Sequence, residues 1–139
     1  MRTDIQSTPT IMIADCDEDN RCLLKSILEL KGFNVLEAAD GQEAFDIAIE
    51  RQPDLVVIDL KLPVVSGFTV IRRIRRLAGL RETPIIAISS NKPISHSRLA
   101  LAAGCAAHME KPIEFDRLDL LIDQFLPGGR WQLASVLVH

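Results

Sequence analysis

Pro53-Asp54-Leu55-Val56-Val57-Ile58-Asp59-Leu60-Lys61-Leu62-Pro63-Val64-Val65-Ser66-Gly67 is the stretch that decides how this chain folds. Leu55 to Ile58 is apolar without alternation and rich in β-branched side chains, the pattern of a strand buried on both faces of a parallel sheet. The run ends in one carboxylate, Asp59, and an unpaired charge inside such a strand would be very costly. Asp59 is therefore expected where the strand surfaces, at the rim of the sheet. That rim, at the carboxyl ends of the strands, is where open α/β sheets bind ligands.

The same signature recurs on either side. Thr10 to Ala14 is a short apolar run closed by Asp15, and reads as the first strand. Asp17, Glu18 and Asp19 supply an N-cap and first-turn acids for a helix to about Lys31, with Leu23, Leu24, Ile27, Leu28 and Leu30 as its apolar stripe and Gly32 as its stop. Phe33 to Ala38 is a second strand. Asp40-Gly41 then opens an amphipathic helix carrying Ala44, Phe45, Ile47 and Ala48, which ends before Pro53. Beyond Asp59, a loop holding Pro63 leads to a helix from about Ser66, with Phe68, Val70, Ile71, Ile74 and Leu77 inward. Pro84 to Ile88 is a fourth strand ended by Ser89-Ser90, and a helix from Ser95 to Ala103 follows, closed by Gly104. Cys105 to Met109 is the fifth strand, followed by Lys111-Pro112. The last helix spans Glu114 to Phe125, with Phe115, Leu118, Leu121, Ile122 and Phe125 on one face, and Pro127-Gly128-Gly129 ends it. This alternation of strand and helix predicts an α/β fold, a parallel sheet covered on both faces and joined by right-handed crossovers.

With 139 residues the chain has room for one core and not for two. We divide it into a polar N-terminal extension over 1–9, a single domain over 10–126, and a tail over 127–139. The tail is unexpectedly apolar, with Trp131, Leu133, Val136, Leu137 and Val138, and reads as a linker remnant or a segment that docks on a partner. A hydrophobic content of 47% argues against disorder, and no apolar run approaches membrane-spanning length. The formal net charge of −3 gives no global drive toward nucleic acid or an anionic membrane. Three cysteines, Cys16, Cys22 and Cys105, form no even framework, so a reducing cytoplasm is the expected location.

The polar residues that interrupt the apolar pattern share one place. Asp15, Asp59, Ser89 and Lys111 each follow a strand, and parallel strands deliver their ends to one rim. Two carboxylates, a hydroxyl and an ammonium suit a phosphoryl group and a hard divalent cation. Asp59 is placed to attack phosphorus and form an acyl phosphate. Lys111 and Ser89 would bind phosphoryl oxygens, and Mg²⁺ on the acids would neutralise charge.

Over residues 10–126 the chain resembles the receiver domains of two-component response regulators. The resemblance rests on the acids near Asp15, Val56-Val57-Ile58-Asp59-Leu60-Lys61-Leu62-Pro63-Val64-Val65-Ser66-Gly67, Ile85-Ile86-Ala87-Ile88-Ser89-Ser90, and Glu110-Lys111-Pro112, in that order. It implies a flavodoxin-like three-layer α/β/α sandwich, with a five-stranded parallel sheet in the order 2-1-3-4-5. It implies that Asp59 accepts a phosphoryl group from a sensor histidine kinase or phosphotransfer protein, that Ser89 is the switch hydroxyl, and that Lys111 is the phosphate partner. The Lys111–Pro112 bond would be cis, the Lys61 backbone carbonyl would join the metal shell, and Lys61 and Asn91 would tune acyl-phosphate lifetime. Output would be a protein contact on the face of the fifth strand and its flanking helices, with a downstream target or a second copy. Such a chain would catalyse its own phosphotransfer and slow dephosphorylation without being a dedicated enzyme.

Two departures stand out. The family places two adjacent acids after the first strand; here the pair is Asp15-Cys16, and a thiol suits Mg²⁺ poorly. Either Asp15 or the nearby Asp17 takes over coordination in a weaker but working site, or Mn²⁺ is preferred, or the chain is a degenerate pseudo-receiver that only binds partners. A small Asp-nucleophile phosphohydrolase is the remaining rival, although Lys61 occupies the place of its acid/base. The second departure is His108, at the position of a switch aromatic, where the coupling is expected to be either altered or pH-sensitive.

Other residues invite plainer readings. Cys105 and His108 are set aside as a metal pair because odd spacing places them on opposite strand faces. Cys22 is expected near the core, and His96 on the surface. Arg72, Arg73, Arg75 and Arg76 read as a solvated helix face, without the aromatic interleaving of a nucleic-acid surface.

Overall fold

A computed structural model describes residues 8–90 and 94–126, with the backbone alone for 94–96. Residues 1–7, Asn91 and the tail over 127–139 lie outside it, as does the side chain of His96. The elements run β1 (Thr10–Ala14), α1 (Glu18–Leu30), β2 (Asn34–Ala38), α2 (Gly41–Arg51), β3 (Leu55–Asp59), α3 (Gly67–Arg75), a 3-10 turn (Ala78–Leu80), β4 (Ile85–Ser89), α4 (Ile94–Ala103), β5 (Ala107–Glu110) and α5 (Phe115–Phe125). All neighbouring strands are parallel, in the order β2-β1-β3-β4-β5. This is the flavodoxin-like topology that the resemblance implies.

Strand alternation divides the interior in two. Met12, Ala14, Val56, Ile58, Ile85 and Ala87 pack with Ala44 and Ala48 of α2, Val70, Ile71 and Ile74 of α3, and Ala100 of α4. Ile11, Ile13, Leu55, Val57, Ile86, Ile88 and Met109 face the other way, against Leu24 and Leu28 of α1 and Leu118 and Ile122 of α5. Every residue of β3 and β4 is buried, which is why those segments read as unbroken apolar runs. Local chemistry sets the helix ends. Asp17 accepts from the Asp19 and Asn20 amides, Asp40 from the Glu43 amide, and Ser66 from the Thr69 amide.

The structure corrects several expectations. Asp59 does not surface: it is the last residue of β3 and only 6% exposed. It tolerates burial because it is paired, as described below. Leu23 and Leu30 are exposed, because α1 meets the sheet and α5 along a narrow arc centred on Leu24 and Leu28. Cys22 falls on the solvent side of the same helix. The fifth strand begins at Ala107, so Cys105 precedes it and is buried in the core shared with α2, α3 and α4. The opposite-face argument against a Cys105–His108 pair therefore does not apply. Among the described residues, however, no cluster of three or more His, Cys, Asp or Glu converges on a metal position. Arg75 also leaves the solvated row: its Nε donates to the Gly104 carbonyl at 2.7 Å, and Nη1 to the Leu80 and Arg81 carbonyls at 3.1 Å. Burial lowers its pKa, partly opposed by the nearby Cys105. It is a tie between α3, the 3-10 turn and the approach to β5. No helix among the described residues is long and apolar enough to cross a membrane.

Candidate functional site

Asp59 is fixed from both sides. Its Oδ1 accepts a hydrogen bond from the Lys61 amide at 2.8 Å, closing a tight turn directly after β3. Its Oδ2 accepts from Lys111 Nζ at 2.7 Å. Gly67 explains the end of the deciding stretch. A Cβ there would collide with the Asp59 carbonyl oxygen, so only glycine lets the start of α3 press against the strand end. Gly41 plays the same part for α2: its amide donates to the Pro63 carbonyl at 3.1 Å, and a Cβ would strike the Val65 carbonyl.

Asp15 follows β1 and is 4% exposed. Its amide continues the sheet by donating to the Ala38 carbonyl, and its Oδ1 accepts from the Asp17 amide at 2.9 Å. Arg21 Nη1 donates to the Asp15 carbonyl at 2.7 Å, and Arg21 and Lys25 both pair with Glu37 of β2. The Asp17 Oδ1 is occupied as the α1 cap. Cys16, between them, is exposed.

Lys111 joins the two acids. Its Nζ lies 2.7 Å from Asp59 Oδ2 and 3.2 Å from Asp15 Oδ2. The Lys111 amide donates to the Ser89 carbonyl, and the Lys111–Pro112 peptide is cis. Burial is the largest single influence on this ammonium and acts to lower its pKa. The hydrogen bond and charge of Asp59, then the charge of Asp15, together outweigh it and hold the pKa above its ordinary value.

Ser89, 3% exposed, ends β4 beside Asp59, and its Oγ lies 2.8 Å from His108 Nε2 of β5. Sequence reading assigned each of these residues a role without pairing them. Arg21 it missed altogether; its i+6 position after Asp15 carried no recognisable signal. Asn91 lies outside the described residues.

The donor set suits a small, hard cation. Two buried carboxylates already surround one ammonium, and every donor within that group is oxygen. Mg²⁺ is commonly held by one or two carboxylates and keeps several waters. The Lys61 carbonyl is a further oxygen in the turn beyond Asp59.

Comparison with known proteins agrees with this architecture. A family model described as the response regulator receiver domain matches residues 11–123. The polar-differentiation response regulator DivK of Brucella ovis is 32% identical over 119 residues, covering 86% of this chain and 97% of DivK. A putative response regulator from Chloroflexus aurantiacus superposes with a TM-score of 0.82 at 28% identity, over 86% of this chain and 98% of that one. The receiver domain of a sensor histidine kinase from Pseudomonas aeruginosa PAO1 gives a TM-score of 0.79 at 26% identity, over 86% and 98% of the two chains; its structure holds a magnesium ion coordinated in the active site cleft.

Proposed function

The chain belongs to the response regulator receiver domain family, and from that membership we propose that it is a phosphorylation switch with Asp59 as its phosphoacceptor. The observation that supports this best is the meeting of two buried carboxylates on the Lys111 ammonium, with a buried hydroxyl on the next strand. In the proposed transfer, the Asp59 carboxylate attacks the phosphorus of a phosphohistidine on a sensor kinase or phosphotransfer protein. A P–O bond forms, the P–N bond breaks, and the imidazole leaves with the bonding pair. The Lys61 amide holds the carboxylate in position. Lys111, already at Asp59 Oδ2, is within reach of a phosphoryl oxygen once one is attached there. Ser89 donates to a second phosphoryl oxygen, and in moving to do so shifts the equilibrium of the face made by α4, β5 and α5. Asp15, Asp59 and the Lys61 carbonyl would hold Mg²⁺, which when bound supplies charge neutralisation around the transferring group. Lys61 and Asn91 set acyl-phosphate lifetime, and the output is a protein contact in the cytoplasm rather than a catalysed reaction.

One observation favours a second reading. Cys16 stands exposed where the family has an acid, which would suit an interaction module with impaired metal binding. Incubation with acetyl phosphate and Mg²⁺ or Mn²⁺, followed by intact-mass measurement, separates the two. The switch predicts a gain of one phosphoryl group that Asp59→Asn loses; no adduct with either ion supports the interaction module. Rapid turnover of varied phosphoesters would instead indicate a phosphohydrolase. Cys16→Asp should raise the labelling rate at limiting Mg²⁺ by roughly tenfold, the scale on which one supporting group changes metal affinity.

A further inference from the structure

We propose that His108 is a positioning residue: its hydrogen bond to Ser89 sets the direction of the Ser89 hydroxyl proton, and so whether Ser89 can bind a phosphoryl group on Asp59. This rests on the switch function above. His108 alternates along β5 with Ala107 and Met109, which pack toward α1 and α5, so its ring is on the α4 side. There it registers with Ala87, two residues before Ser89 on the same face. Backbone pairing continues past the pair, through the Lys111 amide to the Ser89 carbonyl, so strands rather than loops hold the 2.8 Å contact.

A serine hydroxyl has one proton to donate, and burial keeps Ser89 from exchanging partners with bulk water. A neutral imidazole with its lone pair on Nε2 takes that proton, and Ser89 then has none for a phosphoryl oxygen. An imidazolium donates from Nε2 instead. Ser89 Oγ becomes the acceptor, and its own proton is left for a phosphoryl oxygen. Relative to the neutral ring protonated on Nδ1, protonated His108 thus selects the phosphoryl-engaged Ser89, and by reciprocity a phosphoryl group on Asp59 selects protonated His108.

β4 contributes no charged side chain, and Glu110 follows His108 on the same face of β5. Cys105 precedes the strand with Arg75 of α3 beside it, α4 carries Arg98 and His96, and Lys111 is committed to Asp59 and Asp15.

The test follows the ring nitrogens of His108 by ¹⁵N NMR from about pH 5.5 to 8.5, a window centred near the ordinary imidazole value. The full chain is titrated with Mg²⁺ alone and with Mg²⁺ plus beryllofluoride, a stable phosphoryl mimic, and ¹⁹F NMR reports whether the mimic is bound. His108→Gln assigns the signals. The expected result is a His108 midpoint higher by about half a pH unit or more with the mimic bound, roughly a threefold change in equilibrium. Ser89→Ala should abolish the difference and Ser89→Thr should keep it. In parallel, acetyl phosphate occupancy should fall from pH 6 to 8 in the wild type relative to His108→Gln. A bound mimic with an unmoved midpoint overturns the proposal while leaving the switch intact. Failure of the mimic to bind at all overturns both, and the ¹⁹F spectrum distinguishes the cases.

Discussion

At the scale of single residues, Lys111 is the cation that makes two neighbouring buried carboxylates tolerable. Lys111→Met should destabilise the metal-free protein by about 1–3 kcal/mol, below the cost of breaking a fully buried pair because the lysine keeps some solvent contact. Added Mg²⁺ should restore part of the loss, read as a shift in denaturant midpoint. The folded-state pKa of Lys111 is raised, so its contribution is complete below the ordinary value of 10.5 and is lost as pH rises through the higher folded value. The wild-type-minus-Met stability difference should therefore be level from about pH 6 to 9 and shrink above about pH 10.5. The four rim residues were legible because each is the polar residue that closes or follows an apolar strand. Their partners were not. Whether Lys111 reaches one acid or both, or Ser89 meets His108, depends on side-chain torsions across strands distant in sequence. The burial of Asp59 was misjudged for the same reason, since its cost depends on a lysine 52 residues away.

At the scale of elements, the loop from β3 to α3 is the part held under strain. Val64 has φ of +71° and the Val65 amide donates to the Pro63 carbonyl at 2.8 Å, a γ-turn of the uncommon positive-φ kind. A β-branched residue is costly there, and Val64 is 77% exposed, so little packing offsets the cost. Val64→Gly should raise stability by about 0.5–1 kcal/mol, the strain relieved less the added freedom of the unfolded chain. Gly67→Ala should do the opposite, costing about 2–3 kcal/mol by pushing α3 off the Asp59 backbone, with loss of labelling as well as stability. Urea titrations of both variants decide these signs. Element identity and order were readable from caps, turn residues and apolar period. Boundaries slipped where tertiary packing decides them: β5 starts two residues late because Cys105 buries on its way in, and the α1 stripe of five leucine and isoleucine positions is wider than the surface it covers.

At the scale of the molecule, one sheet separates two apolar layers, and both share strands β1, β3 and β4. Ile86→Ala on one side and Ile74→Ala on the other should each cost about 2–5 kcal/mol, with a single unfolding transition and an unchanged denaturant slope. Leu30→Ala, at an 89% exposed position, should cost less than about 0.5 kcal/mol. The sheet buries its centre so that its rim can hold polar groups fixed from below, and the account turns on which rim atom reacts. The direct measurement is borohydride reduction of the chain after acetyl phosphate and Mg²⁺ treatment, with peptide mass spectrometry to find the trapped residue. An acyl phosphate on Asp59 predicts that residue reduced to the corresponding alcohol, homoserine, with Asp15 and Asp17 unchanged. Reduction at Asp15, or at no carboxylate while the protein still gains phosphate, would contradict it.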